Sequence, residues 1–90
     1  MKTLPKTVEV LEVANEGLVS LLNQNVEIRC NVYIYCGQLV GVNDTCVKLD
    51  NAHIVYETGP FTDKKWKDAQ PLPNTLYVML SAVEAFGVVK

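Results

Sequence analysis

Val26-Glu27-Ile28-Arg29-Cys30-Asn31-Val32-Tyr33-Ile34-Tyr35-Cys36-Gly37-Gln38-Leu39-Val40-Gly41 is the stretch whose reading decides the fold. From Val26 to Cys36 an apolar residue recurs at every second position. Glu27, Arg29, Asn31, Tyr33 and Tyr35 stand between. In an extended chain successive side chains point to opposite faces, so period two predicts a half-buried sheet rather than a helix. The pattern runs on through Leu39 to Gly41, longer than an ordinary strand of about 3 to 10 residues. A tight turn near Asn31 or a bend at Gly37 therefore divides it into two antiparallel strands.

Upstream the period changes. Leu18, Leu21 and Leu22 form an apolar stripe at helical spacing, Asn15 suits an N-cap, and Glu16 is placed in the first turn, where negative charge suits the helix dipole. A short helix is predicted over about residues 14–23. Downstream, Asn43-Asp44-Thr45 is a turn, because Asn and Asp bond their own backbone. A third strand follows from Cys46 to about Glu57, with a bulge or inner turn at Asp50-Asn51. Residues 57–74 hold three of the four prolines and most of the nearby charge, and read as a long surface loop. Leu76 to Leu80 is an uncharged strand, Ser81-Ala82 a corner, and Val83 to Val89 a final strand.

The chain has 90 residues, 49% of them hydrophobic and 20% charged, which fits one globular domain with a thin core. Its formal charge is -2, so no global positive field attracts nucleic acid or anionic lipid, and any RNA contact must be local. No apolar run reaches membrane-spanning length and the first ten residues lack a signal-peptide core, so a cytoplasmic protein without membrane partners is expected. Cys30, Cys36 and Cys46 have neither disulfide-framework nor metal-site spacing and are expected as reduced core residues. The single His53 has no acid or nucleophile reliably placed beside it. No catalytic residue, metal site or cofactor is expected, and the chain is read as a non-enzyme.

A short helix followed by five strands is a mainly β pattern that suits a small, bent barrel of OB or SH3 type. The residues narrow the choice: Gly37-x-Leu39-x-Gly41-Val42-Asn43-Asp44 followed by Val47-x-Leu49 resembles the first signature of the Sm and Sm-like proteins, the family that includes bacterial Hfq. Leu76-Tyr77-Val78-Met79-Leu80-Ser81-Ala82-Val83 is similar to that family's last two strands meeting at a corner. The resemblance covers about residues 18–86. It implies a single Sm-like domain with an N-terminal extension at 1–13, in which a helix caps a five-stranded, strongly bent antiparallel sheet closing into an SH3-like barrel. It also implies a homo-oligomeric ring of five to seven subunits, built when the fourth strand of one copy pairs with the fifth of the next.

An uncharged edge strand will pair with something, which agrees with assembly. The expected interface residues are Leu76, Tyr77, Val78, Met79, Leu80, Val83 and Phe86. The resemblance further implies single-stranded RNA binding, or an RNA-chaperone role, at turns facing the ring pore: Asn43, Asp44, Thr45 and Ser81. The family's usual base-reading groups are replaced, with Cys46 standing at the Asn position and Leu80-Ser81 at the Arg-Gly corner, and the Lys-His pair of bacterial Hfq is missing. Lys64, Lys65, Trp66 and Lys67 add a local signal, cations around an indole that can stack on a base. Asp63 and Asp68 reduce the local charge to +1, and the stretch equally fits a solvated loop with Trp66 folded back as an anchor. Tyr33 and Tyr35, placed with Arg29, offer a second stacking surface. The alternative is a ring that scaffolds protein partners without RNA.

Overall fold

The computed structural model describes residues 16–90. The Asn15 cap, the helix start at Ala14 and the 1–13 extension lie outside those residues. The described chain is mainly β. Helix α1 (Gly17–Ser20) precedes β1 (Asn25–Cys30), β2 (Ile34–Val42), β3 (Cys46–Glu57), β4 (Asp68–Pro71), β5 (Leu76–Met79) and β6 (Val83–Val88), with a 3-10 turn at Leu80–Ala82. All strand pairs are antiparallel in one sheet of order β4-β3-β2-β1-β6, and β5 also pairs with β3. The sheet is not closed, since β5 and β6 do not pair with each other.

Three expectations are corrected. The helix is a single turn rather than a span of 14–23. Glu16 caps it with extended backbone and no side-chain bond, instead of lying in the first turn. The segment ends where Asn23 takes a φ of 70° and donates its N–H to the Leu39 carbonyl at 2.6 Å, so the backbone leaves helical geometry to join β2. Second, the sheet has six strands rather than five. The 57–74 segment is not all loop, because Asp68–Pro71 pairs with the far half of β3, and Pro71 is tolerated on this edge strand. β3 thus carries two partners along one side: Cys46 to Leu49 pair with β5, and His53 to Glu57 with β4.

The third correction concerns which residues share a face. The hairpin turns at Asn31–Tyr33, closed by the Cys30 N–H donating to the Tyr33 carbonyl at 2.9 Å. Across it Val26 pairs with Gly37, Glu27 with Cys36, Ile28 with Tyr35 and Arg29 with Ile34. Paired residues share a face, and each pair joins an even to an odd number, so the alternation inverts at the turn. Tyr35, Gly37 and Leu39 therefore join Val26 and Ile28 on an inner face. Ile34 and Cys36 go to the outer face with Glu27 and Arg29. Tyr35 packs half-buried against the core and does not share a surface with Arg29.

The inner face holds the core. Val26, Ile28, Leu39, Val47 and Leu49 are fully buried with Ala52 and Val78, flanked by Leu18, Leu21 and Leu22 from the helical segment. Full burial of each large side chain contributes about 1.5–3 kcal/mol. The β2–β3 register shifts between Cys36 and Gln38, opposite Asp50-Asn51, where the sequence places a bulge, and Asn51 takes a φ of 51°. β3 presses close to β2 here: a Cβ on Gly37 would lie 2.8 Å from the Asp50 carbonyl and 3.1 Å from the Ala52 Cα, so only glycine fits. The bulge bends β3 and turns its second half toward β4.

Candidate functional site

The residues singled out for RNA fall into two separate groups. The first is the β2–β3 turn. Asn43 Oδ1 accepts three bonds, from Thr45 N–H at 2.8 Å, Cys46 N–H at 2.9 Å and the Thr45 hydroxyl at 3.0 Å. Its carbonyl oxygen is thereby committed to the turn, leaving only its amide hydrogens to reach outward. The Leu80 N–H donates to the Thr45 carbonyl at 2.9 Å and brings Ser81 beside this turn. Asp44 and Ser81 are exposed. What this corner offers is two hydroxyls, one amide donor group and a carboxylate that repels phosphate.

The second group lies on the outer face, where residues 58–67 fold back over β1 and β2. Phe61 packs between two cations, with the Arg29 guanidinium 4.8 Å and the Lys90 ammonium 5.2 Å from its ring centre. Lys90 also lies 4.5 Å from the Trp66 ring, and the two aromatics meet edge to face at 6.0 Å. Lys90 Nζ donates to the carbonyls of Thr58 at 2.7 Å and Pro60 at 2.9 Å. Each cation–π contact is worth about 0.5–1 kcal/mol at exposed sites, so the set pins the loop without forming a second core. Beneath it Glu27 is only 6% exposed and takes the Arg29 guanidinium as its ion-pair partner, which offsets the cost of burying its charge.

Trp66 is therefore an anchor as well as a surface group. Burial pushes the Cys36 thiol above its ordinary range; the Trp66 indole pulls it down, the Glu27 carboxylate adds to the rise and the His53 backbone N–H opposes it. Sulfur is a weak acceptor, and the indole contact falls short of hydrogen-bond geometry, so Trp66 Nε1 is buried without a partner among the described residues. The Cys30 thiol is also raised, by burial and then by Glu84. All three cysteines are free thiols, Cys36 buried and Cys30 and Cys46 half-buried.

Between this loop and the β3 bulge is a cavity of about 680 Å³ that brings Lys64, Lys65, Trp66 and Lys67 together with His53, Asn51 and Gln70. Neither Asn43 to Thr45 nor Ser81 reaches it. Lys64 and Lys65 are exposed and have no carboxylate in ion-pair range among the described residues, whereas Lys67 is 3.2 Å from Glu57. His53 Nδ1 lies 3.0 Å from the Asn51 carbonyl. A carbonyl only accepts, so Nδ1 carries a proton, and in the neutral ring Nε2 presents a lone pair. Sequence reasoning passed over His53, Asn51 and Gln70 as ligand contacts. The only local signal was the bulge beside His53.

The expected interface residues divide by face. Val78 is buried in the core, and Leu76, Leu80 and Val83 pack half-buried against it. Tyr77, Met79 and Phe86 are exposed, as is Val88. Among the described residues no group of three or more His, Cys, Asp or Glu side chains could hold a metal ion, and no helix is long and apolar enough to cross a membrane. Comparison of the chain with protein-family models, with curated proteins and with solved structures finds no match to any of them.

Proposed function

We propose that this chain is an Sm-like subunit, an open, bent sheet that closes by joining copies of itself into a ring, and that the ring binds single-stranded RNA. The observation that carries the reading is the pair of unmatched edges. Taken without β4, the strands run β5-β3-β2-β1-β6, and among the described residues the outer sides of β5 and β6 have no partner strand. Both edges are flanked by exposed apolar side chains, Tyr77 and Met79 on β5 and Phe86 and Val88 on β6. Phe86 pairs with Ile28 and Val88 with Val26, so both stand on the core face of β6 although they are exposed. A head-to-tail β5–β6 contact would extend the ladder, cover these residues and leave neither of these two edges free once the rotation closes. RNA is the cargo favoured by Lys64 and Lys65, exposed beside an indole and with no carboxylate in ion-pair range among the described residues.

A ring that scaffolds protein partners is the second reading. It is favoured by one observation, the commitment of the Asn43 carbonyl oxygen to its own turn. The test is the solution mass by light scattering with absorbance at 260 and 280 nm, followed by titration of labelled oligo-U and oligo-A at low and physiological salt. The expected result is a mass five to seven times the 10.0 kDa of one chain, with salt-dependent binding below about 10 µM. A monomer would overturn the ring, and a ring without RNA affinity would leave the scaffold.

A further inference from the structure

We infer that the cavity under the 58–67 loop is a nucleotide site, taking one phosphate-bearing unit of a single strand on the outer side of each subunit instead of at the β2–β3 turn. The inference rests on the RNA reading for its physiological ligand, but its geometry is independent of ring formation. A volume of about 680 Å³ lies within the usual range of about 300–1,000 Å³ for small-molecule sites.

The lining supplies the three interactions a nucleotide needs. Lys64 and Lys65 provide charge for a phosphate, and among the described residues they are the cations in this lining with neither a carboxylate nor loop carbonyls beside them: Lys67 pairs with Glu57, and Lys90 donates to Thr58 and Pro60. The one carboxylate side chain in the lining, Asp68, accepts from the Gln70 amide at 2.7 Å, which restrains its orientation. The half-buried Trp66 ring offers an apolar surface for a base. Base edges need both donors and acceptors, and here the His53 Nε2 lone pair, the Gln70 Oε1 and the Asn51 carboxamide provide them. The β2–β3 turn has neither an aromatic ring nor a cation, and its best acceptor is used internally. A free inorganic anion would use the lysines and amide N–H donors but gain nothing from the Trp66 ring or from an acceptor such as the Gln70 Oε1.

Trp66 is the single tryptophan, so its fluorescence reports on this cavity directly. The experiment titrates UMP, AMP, inorganic phosphate and labelled oligo-U and oligo-A into the full chain, following tryptophan emission and oligonucleotide anisotropy together. Three variants are compared after circular dichroism has verified their fold: Lys64→Glu with Lys65→Glu, His53→Ala, and Ser81→Ala. The expected result is that oligonucleotides and mononucleotides change the emission. The double reversal should weaken oligonucleotide binding more than about tenfold at low salt and flatten its salt dependence, while His53→Ala should weaken it about threefold or more with the salt slope kept.

Oligonucleotide binding that leaves the emission unchanged and is lost only in Ser81→Ala would overturn the inference while sparing the RNA reading. Emission changes with UMP or AMP, but no oligonucleotide affinity, would uphold the cavity and end the RNA reading. Inorganic phosphate matching the mononucleotides would reduce the site to an anion site and also overturn the inference. Silence with every probe would overturn both.

Discussion

The two faces of the same sheet are covered in different ways. On the inner face, Val26 and Ile28 of β1 meet Leu39, Val47 and Leu49, all wholly buried, and the cover is apolar. On the outer face of β1 and β2 lie Glu27, Arg29 and Cys36, and the cover is a loop held by cations stacked on two aromatic rings. The inner face stabilises by removing apolar area from water, which needs no orientation and tolerates no gap. The outer face uses directional contacts of modest strength over a buried ion pair. A face of the second kind can open a cavity beside itself at little cost, and the cavity lined by Lys64, Lys65 and Trp66 lies there.

Three measurements sharpen this contrast. The largest effect is expected for Leu39→Ala, which should lower the unfolding free energy by about 2–5 kcal/mol in a urea titration, because it removes fully buried atoms and leaves a void. A loss below about 1 kcal/mol would mean that the inner face relaxes freely. Phe61→Ala comes next at about 1 kcal/mol, since its ring is 51% exposed and its contacts are mainly cationic. Its signature is local: faster hydrogen exchange and proteolysis across residues 58–67, with β1 to β3 still protected. Uniform loss of protection would erase the distinction between the faces.

The smallest effect is a slope with pH. The Cys36 thiol is raised in the folded chain, mainly by burial, so above pH 9 the unfolded chain releases this proton first. The unfolded state then binds fewer protons than the folded one, and stability falls as pH rises. Cys30 contributes with the same sign. Cys36→Ala should flatten the decline between pH 8 and 10 in thermal melts, and an unchanged slope would assign the decline to other groups.

Much of the fold was legible because it depends on local pattern. The alternation at 26–42, the turn-forming Asn43-Asp44-Thr45, and the bulge at Asp50-Asn51 each follow from a few neighbouring residues. The facing of β2 did not, because it turns on how the Asn31–Tyr33 hairpin is closed, and an unbroken alternating string reads the same through a turn as along a strand. β4 was hidden for another reason: Asp68-Ala69-Gln70-Pro71 has no strand signal of its own, and becomes a strand because the bent half of β3 offers an edge. At the site, the cationic stretch 64–67 and its indole stood out. Their companions His53, Asn51 and Gln70 did not, because only the folding back of the loop brings them into one cavity.

The inversion at the hairpin has a consequence for how this chain can change over time. Substitutions at Asn31 or Val32, both exposed, disturb little, but deleting either one would shift β2 by a single step against β1. Leu39 would then be carried outward and Gln38 inward along the whole strand. The turn is thus permissive toward the identity of its residues and strict about their number. Length variants among descendants of this sequence should gather in the 58–67 excursion, which can grow without altering any register in the sheet.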